Sequence, residues 1–187
     1  KSVGEMIVDR VVNGEGMLQF QIEVDNQVDA YIHVPCGIIE GETQEMIVIG
    51  AHHDTVYNGQ GAVDNTAGTA TVQEMARQFG LITEDLGQPK LTIYFCTWGG
   101  EEEGLWGSSE WVKKHQVELQ ENLRLYINLD MNHVDSERNS GLTLQGNSPT
   151  DVKHIERLVG KFSEAHPELS SKYSISVRGL GSEEMPY

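Results

Sequence analysis

Residues 46–68, MIVIGAHHDTVYNGQGAVDNTAG, are the stretch of sequence that decides the fold. The stretch begins with an apolar run, and His52 and Asp54 follow that run. It then crosses a loop rich in glycine and asparagine and delivers Asp64 just before a helical pattern. A buried strand that ends in His-x-Asp, followed by a loop and an Asp at a helix start, can assemble metal ligands. The plain alternative is a turn with scattered polar residues, and this stretch alone does not separate the two.

Two further segments are apolar on both faces, which is typical of central strands covered by helices on either side. They span residues 91–96 and 123–129. Helical patterns lie between and after these strands, and a last strand pattern follows. The helical patterns cover residues 72–79, 108–115 and 152–162, with Gly80 placed to end the first of them, and the strand pattern covers residues 173–177.

A different pattern precedes these segments. Apolar and polar residues alternate over residues 18–24 and again over 28–34, with a polar turn between them. This alternation predicts an antiparallel hairpin at the edge of a sheet. The order of the patterns therefore predicts an α/β fold, a three-layer α/β/α sandwich with a mixed, centrally parallel sheet and an antiparallel edge hairpin.

The composition is that of an ordinary globular protein. The chain has 187 residues, enough for one domain with a substantial core, and no apolar run approaches membrane-spanning length. The net charge of −16, from 13 basic and 29 acidic residues, argues against nucleic acid and anionic membranes as partners. The chain begins at Lys1 without a Met and shows no signal peptide, so we expect a processed form or a fragment.

The chain contains two cysteines, Cys36 and Cys96. Cys96 ends an apolar strand pattern, and a buried free thiol is the expected state there. Two cysteines make neither a disulfide framework nor a thiolate zinc site, and they do not fix the compartment.

Acidic or imidazole side chains follow each of the three apolar strands. The first strand is followed by His52 and Asp54, the second by the acidic run 101–103, and the third by Asp130. Sites in open α/β sheets form at the carboxyl ends of the strands. We therefore expect these side chains to converge, which scattered surface charge would not do.

The residue types at these strand ends fit a metal centre. His52 and Asp54 point the same way in an extended chain, so Asp54 can hold the ring N–H that a ligating imidazole leaves free. Asp130 ends an apolar strand without an evident partner, and a metal would remove that burial cost. One imidazole among several carboxylates suits zinc, with cobalt or manganese as replacements. Plainer alternatives are a helix N-cap for Asp64 and a solvated loop for residues 101–103.

Four motifs in this order resemble the signatures of the co-catalytic zinc aminopeptidase family. They are GAHHD at 50–54, GAVDNTAG at 61–68, GEEEGLWGS at 100–108 and NLDMN at 128–132. Relatives within that family include bacterial leucyl aminopeptidase, glutamate carboxypeptidase and glutaminyl cyclase. The resemblance implies the zinc exopeptidase fold and two zinc ions. Its implied metal ligands are His52, Asp64, Glu102 and Asp130.

The resemblance also implies a role for each of these side chains. His52 and Glu102 would hold one zinc ion and Asp130 the other, and Asp64 would bridge them. Glu101 would be the general base beside a hydroxide shared by the two metals. Asp54 would be the second catalytic residue, because it would orient the His52 ring.

The activity implied by the resemblance is that of an exopeptidase, most of all an aminopeptidase acting on peptides. Alternatives on the same fold are a carboxypeptidase or a glutaminyl-cyclase-like enzyme. An alternative from another class is a peptidase-like binding module without catalysis. The resemblance favours a secreted or periplasmic location, and it leaves the oligomeric state and the preferred substrate residue open.

One feature of the family is missing from this sequence. The family has a last metal-binding His near the end of the domain, and His133, His154 and His166 all lie in other contexts. We therefore expect residues 1–187 to be one incomplete catalytic domain, truncated before that ligand, with residues 1–40 forming edge strands. An inactive fragment is one outcome that this expectation allows.

Overall fold

The computed structural model describes residues 2–14, 19, 21–23, 29–133, 135, 137–138 and 140–179. The chain divides into two compact units, Lys1–Tyr31 and Ile32–Tyr187. The described part of the first unit contains the helix α1 (Val3–Val12). The expectation of edge strands over residues 1–40 is wrong for this segment. The Ser2 hydroxyl accepts a hydrogen bond from the Glu5 N–H, and the Glu5 carboxylate accepts one from the Ser2 N–H, so a capping box begins a helix here.

The second unit holds the remaining strands and helices. In chain order they are β1 (Cys36–Ile39), β2 (Thr43–His52), α2 (Gly68–Leu86), β3 (Leu91–Trp98), α3 (Trp106–Lys114), α4 (Gln116–Asn122), β4 (Leu123–Asn128), β5 (Gly141–Gly146), α5 (Pro149–Ala165), α6 (Pro167–Ser170) and β6 (Ser174–Gly179). A short irregular helical turn, Ala62–Ala67, leads into α2. Among the described residues, no helix has both the length and the apolar character needed to cross a membrane.

The central sheet has four strands in the order β1-β3-β2-β4. Strand β2 runs parallel to both β3 and β4, whereas β1 is antiparallel to β3 at one edge. Strands β5 and β6 form a separate parallel pair, against which α5 packs. The prediction of a mixed, centrally parallel sheet is therefore confirmed.

Helices cover both faces of the central sheet. On one face, Val72 of α2 packs with Ile49 and Phe95. On the other face, Trp111 of α3 packs against Val48, and α4 adds to the same layer. This arrangement confirms the three-layer α/β/α sandwich. It also explains the unbroken apolar run over residues 46–51 of β2, which is covered from both sides.

The antiparallel edge of the sheet differs from the prediction. The turn of the predicted hairpin and residues 18, 20, 24 and 28 lie outside the described residues, and the described residues 19, 21–23 and 29–35 form no strand. The antiparallel edge strand is β1, which begins directly after Pro35. Ile32 lies against Gly99 and Gly100, so its apolar side chain covers a loop and not a strand partner.

Cys36 and Cys96 form a disulfide bond, and the prediction of a free buried thiol at Cys96 is wrong. The two residues lie directly opposite each other across the β1–β3 ladder, with their Cα atoms 4.1 Å apart. The Thr97 N–H donates a hydrogen bond to the Pro35 carbonyl oxygen, so the next pair along is the closely spaced, non-hydrogen-bonded one. That close spacing brings the two thiols together.

Candidate active site

The predicted site residues meet at the carboxyl ends of the parallel strands. His52 is the last residue of β2, and Glu101 and Glu102 lie in the loop after β3. Asp130 follows β4, and Asp64 lies in the turn that leads into α2. Because these strands are parallel neighbours, their ends lie at one edge of the sheet, and the convergence expected from the sequence is observed.

The imidazole of His52 is the centre of the cluster, and it is 4% exposed. Its Nε2 atom lies 3.1 Å from Asp64 Oδ1 and 3.5 Å from Asp130 Oδ1. The Oε2 atom of Glu101 lies 4.0 Å from the same nitrogen. One ring nitrogen therefore faces carboxylates from three different segments of the chain.

The other ring nitrogen of His52 is held by the main chain. Nδ1 lies 3.1 Å from the backbone carbonyl oxygen of Asp54 and 3.7 Å from its carboxylate oxygen Oδ1. A carbonyl oxygen can only accept, so in the neutral ring Nδ1 carries the proton and Nε2 presents a lone pair to the cluster. The backbone carbonyl of Asp54 is therefore the group nearest to Nδ1, and its carboxylate, the expected partner of the ring, lies farther away.

The carboxylate of Asp54 has a different partner. Its Oδ2 atom accepts a hydrogen bond from the Glu102 N–H at 3.1 Å. Burial opposes ionisation of this carboxyl, but backbone N–H groups of Glu102 and Glu101 hold its pKa below the ordinary value. Asp54 is therefore an anionic anchor for the loop that carries both glutamates.

The crowding of carboxylates changes the proton affinity of their neighbours. Burial, and then the negative charges of Glu102 and Asp130, raise the pKa of Glu101, against the opposing effect of His52. Burial works to lower the pKa of His52, but the charges of Glu101 and Asp130 outweigh it and raise that pKa. The pKa of Glu101 is thus raised mainly by burial, and the pKa of His52 is raised by the neighbouring negative charges.

The donor set fits a divalent metal ion. Ligand atoms of His52, Asp64 and Asp130 lie within 4.8 Å of one another, and so do those of His52, Glu101 and Glu102. Within the described part of the chain, Glu102 Oε1 is buried without a hydrogen-bond partner. A buried carboxylate oxygen needs such a partner or a cation, so this atom is a candidate metal ligand. Imidazole nitrogen with carboxylate oxygens is a donor set that zinc accepts.

The grouping of ligands differs from the one that the resemblance implies. His52 and Asp130 were expected to hold different metals, yet Asp130 Oδ1 lies close to His52 Nε2. Only Nε2 of the His52 ring faces the cluster, so this ring can serve one ion, and its nearest carboxylates are those of Asp64 and Asp130. Of the described histidines, His52 alone belongs to either ligand group.

Two polar contacts around the site were not predicted from the sequence. The Thr69 hydroxyl donates to the His52 carbonyl oxygen at 2.8 Å and ties α2 to the end of β2. The side chain of Asn65, 1% exposed, donates to the Leu129 carbonyl oxygen at 2.9 Å. The peptide bond between Asp64 and Asn65 is cis. In the sequence, only its position next to Asp64 could have indicated that Asn65 belongs to the site.

A cavity of about 630 Å³ opens beside the cluster. His52, Glu101 and Asp130 lie at its polar end, and the rest of its wall is mostly apolar. The apolar wall includes Val48, Trp98, Leu105, Trp111, Leu119 and Tyr126. A larger groove, lined by residues such as Glu40, Lys113 and Glu118, contains none of the predicted site residues. The cavity at the strand ends is therefore the one that belongs to the site.

Comparison with known proteins defines the class. Residues 36–178 match peptidase family M28, and the chain belongs to this family. It is 40% identical over 96 residues to a probable glutamate carboxypeptidase of Arthroderma benhamiae, covering 51% of this chain and 13% of that protein. It is 32% identical over 145 residues to an aminopeptidase of Pseudomonas aeruginosa, covering 74% of this chain and 26% of that protein.

The fold also matches solved structures. LapA of Legionella pneumophila superposes with a TM-score of 0.56 at 23% sequence identity, over 80% of this chain and 39% of that one. At this identity the likeness shows the fold alone. The chain spans 13% and 26% of the two relatives named above, so it corresponds to part of their length.

Proposed function

We propose that the protein containing this chain is a zinc-dependent aminopeptidase that removes N-terminal residues from peptides. The observation that carries the proposal is the convergence of Asp64 and Asp130 on Nε2 of the buried His52. Glu101 and Glu102 lie at the same edge of the sheet, where one can serve as a base and the other as a ligand. Membership of a peptidase family supports hydrolysis of peptides as the reaction class.

Four side chains would hold the metal. His52, Asp64 and Asp130 would bind one zinc ion, because their ligand atoms already lie together. Glu102 would hold a second ion, and Asp64 would be shared between the two sites. Zinc bound there would polarise the substrate carbonyl and lower the pKa of a water molecule. Cobalt and manganese accept the same donor atoms and are candidate replacements.

Glu101 would act as the general base. Its carboxylate faces the cluster beside the proposed metal ligands, and a carboxylate placed there can take up a proton and return it. It would accept a proton from the attacking water and pass it to the leaving amine. Asp54 would be a positioning residue in this scheme, because it anchors the loop that carries Glu101.

The proposal is tested with the full-length protein loaded with zinc. We expect Glu101→Gln to lower kcat by about 10²- to 10⁴-fold, the usual contribution of a general base, while zinc content stays unchanged. Glu103→Gln is the matched control, since Glu103 is an exposed member of the same acidic run and belongs to neither ligand group. Equal turnover by the wild type and Glu101→Gln would reject the assignment.

A carboxypeptidase is the second candidate, favoured by the 40% identity to a probable glutamate carboxypeptidase. Such an enzyme needs a cation to bind the substrate carboxylate. Arg178 lies on β6 in register with Gln145 and is not among the residues that line the site cavity.

Substrates with free and acetylated N-termini separate these possibilities. We expect hydrolysis of the free peptide and none of the acetylated one. Cleavage of the acetylated peptide from its C-terminus would indicate a carboxypeptidase, and release of pyroglutamate from an N-terminal Gln would indicate a cyclase. Zinc-dependent peptide binding without turnover of any of these would indicate a non-catalytic module.

We also propose that the protein works in an oxidising compartment, secreted or periplasmic. The Cys36–Cys96 disulfide supports this, because such bonds persist outside the reducing cytosol. Alkylation of free thiols before lysis of the producing cells, followed by mass spectrometry, is the test. Both cysteines should escape alkylation, and full alkylation of both would contradict the proposal.

A further inference from the structure

We propose that Asn65 is the positioning residue of the metal centre, because it fixes the Asp130 loop against the start of α2. This inference rests on the proposed metal binding by His52, Asp64 and Asp130. Asn65 follows Asp64 directly and is almost completely buried. Its side chain therefore links two ligands that come from distant parts of the chain.

The Asn65 amide bonds to both residues that flank Asp130. Its Nδ2 atom donates to the Leu129 carbonyl oxygen at 2.9 Å. Its Oδ1 atom accepts from the Met131 N–H at 3.3 Å. Asp130 is thus held on its two sides by one planar group, and its own carboxylate remains directed at His52 Nε2, 3.5 Å away.

The same Oδ1 atom also fixes the start of α2. It accepts a hydrogen bond from the Gly68 N–H at 2.9 Å. A Cβ atom on Gly68 would lie 2.4 Å from both Asn65 Oδ1 and the Leu129 carbonyl oxygen. The glycine therefore lets the helix and the Asp130 loop approach closely enough to share one amide.

The backbone at Met131 shows why the loop needs to be held. Met131 has a φ of 49°, in the left-handed region that residues with a Cβ rarely adopt. Its N–H points to Asn65 Oδ1 in that conformation. The hydrogen bond offsets part of the cost of the turn, and the turn sets the direction in which Asp130 leaves the strand end.

An amide suits this position because it offers a donor and an acceptor on one rigid group. The Leu129 carbonyl oxygen needs a donor, while the N–H groups of Gly68 and Met131 need an acceptor. A serine is one atom shorter, so it can still accept from the Gly68 N–H as an ordinary helix cap but cannot span the loop. Asn65→Ser thus separates capping of α2 from positioning of Asp130.

The first test is hydrogen exchange of the metal-free, full-length protein. We expect Asn65→Ser and Asn65→Ala to speed exchange of the Met131 amide at least tenfold, with the exchange of β2 and β3 unchanged. This measurement does not depend on whether the protein binds zinc. If a folded Asn65→Ser variant kept the Met131 amide equally protected against hydrogen exchange, the proposed role of Asn65 in holding the Asp130 loop would be wrong.

The second test is zinc affinity by competition with a chelator, together with the visible absorption spectrum of the cobalt-loaded protein. Loss of a group that orients a metal ligand weakens metal binding by about 10- to 100-fold, and we expect that loss for both Asn65 variants. The cobalt spectrum should change as well, because the geometry of the Asp130 ligand changes.

Asn132→Ala is the matched control. Asn132 is another amide of the same loop, and its Nδ2 atom donates to the Thr71 hydroxyl of α2 at 3.0 Å, a bond that involves neither Leu129 nor Met131. Its zinc affinity should fall less than threefold. Equal zinc affinity and cobalt spectra in the wild type and Asn65→Ser would overturn the inference while leaving the proposed function intact. A wild type that binds no zinc would reject both.

Discussion

The carboxylate of Asp54 accepts a hydrogen bond from the backbone N–H of Glu102, with 3.1 Å between Oδ2 and the nitrogen. This bond joins the segment after β2 to the loop after β3. The backbone carbonyl of Asp54 meanwhile holds Nδ1 of His52. One residue therefore sets the orientation of the imidazole through its main chain and the position of both glutamates through its side chain.

Replacing Asp54 tests this double role. Asp54→Asn keeps an oxygen for the Glu102 N–H, whereas Asp54→Ala leaves that N–H without its acceptor. Since groups that orient metal ligands are worth about 10- to 100-fold in metal affinity or activity, we expect that loss in kcat/KM for Asp54→Ala and a smaller one for Asp54→Asn. Steady-state kinetics of the full-length enzyme give both values.

Asp85→Ala is the control for that series. Asp85 is exposed near the end of α2, and it belongs to neither ligand group. Its kcat/KM should match the wild type. Equal losses for the Ala and Asn variants of Asp54 would show that the charge of the side chain matters, and not its acceptor atom.

Replacement of the adjacent histidines His52 and His53 should have different effects on the stabilisation of the protein by zinc. His52 is buried with its Nε2 in the cluster, whereas His53 is exposed. Zinc at 100 times its dissociation constant should stabilise the folded wild type by about 2.7 kcal/mol, so its melting temperature should rise on zinc addition and fall with a chelator. His52→Ala should weaken this response, because one ion loses its nitrogen ligand, and His53→Ala should keep it in full.

Thermal melts with and without zinc check this pair of variants. A zinc response of undiminished size in His52→Ala would place the ion elsewhere. Loss of the response in His53→Ala would show that the wrong imidazole had been chosen as the ligand.

The location of the site was predictable because it depends on little more than the direction of the strands. Apolar runs identify β2, β3 and β4, and parallel strands put their carboxyl ends at one edge. That sufficed to bring His52 and Asp130 together, whereas Asp64 lies in the turn that leads into α2, and its place beside them was implied by the resemblance.

Finer features depend on loop geometry and on distant pairings. The oxygen that holds His52 Nδ1 belongs to the main chain, and its direction is set by how the chain turns after β2. Asn65 and Leu129 are 64 positions apart, so their hydrogen bond has no local signature. The Cys36–Cys96 pairing was missed because β1 has only four residues, too few for a readable pattern.

The disulfide should contribute strongly to stability. It joins residues 60 positions apart, and closing a loop of that size stabilises a fold by about 2–4 kcal/mol, mainly through the unfolded state. We therefore expect dithiothreitol to lower the free energy of unfolding by that amount in urea titrations. The double variant Cys36→Ser with Cys96→Ser should show the lowered stability without reductant and no further response to it. If the free energy of unfolding of the wild type stayed unchanged after complete reduction of the disulfide, the prediction would be wrong.

Two glycines of α2 should have opposite responses to alanine. The sequence pattern placed the end of this helix at Gly80, but the helix continues to Leu86 and ends at Gly87, whose φ is 86°. A Cβ atom on Gly80 would meet none of the described atoms within 4 Å. Gly80→Ala should therefore stabilise the fold by about 0.5–1 kcal/mol, because alanine loses less backbone entropy in a helix.

Gly68→Ala should instead destabilise the same helix. Its Cβ atom would meet the Leu129 carbonyl oxygen at 2.4 Å, which is backbone and cannot rotate away. Overpacking of this kind costs about 1–3 kcal/mol, and here it would also push the Asp130 loop away from α2. Urea titrations of the two variants give the sign of each effect, and zinc affinity should fall in Gly68→Ala alone. Equal stability changes in both would mean that helix propensity, and not the close approach to Leu129, controls Gly68.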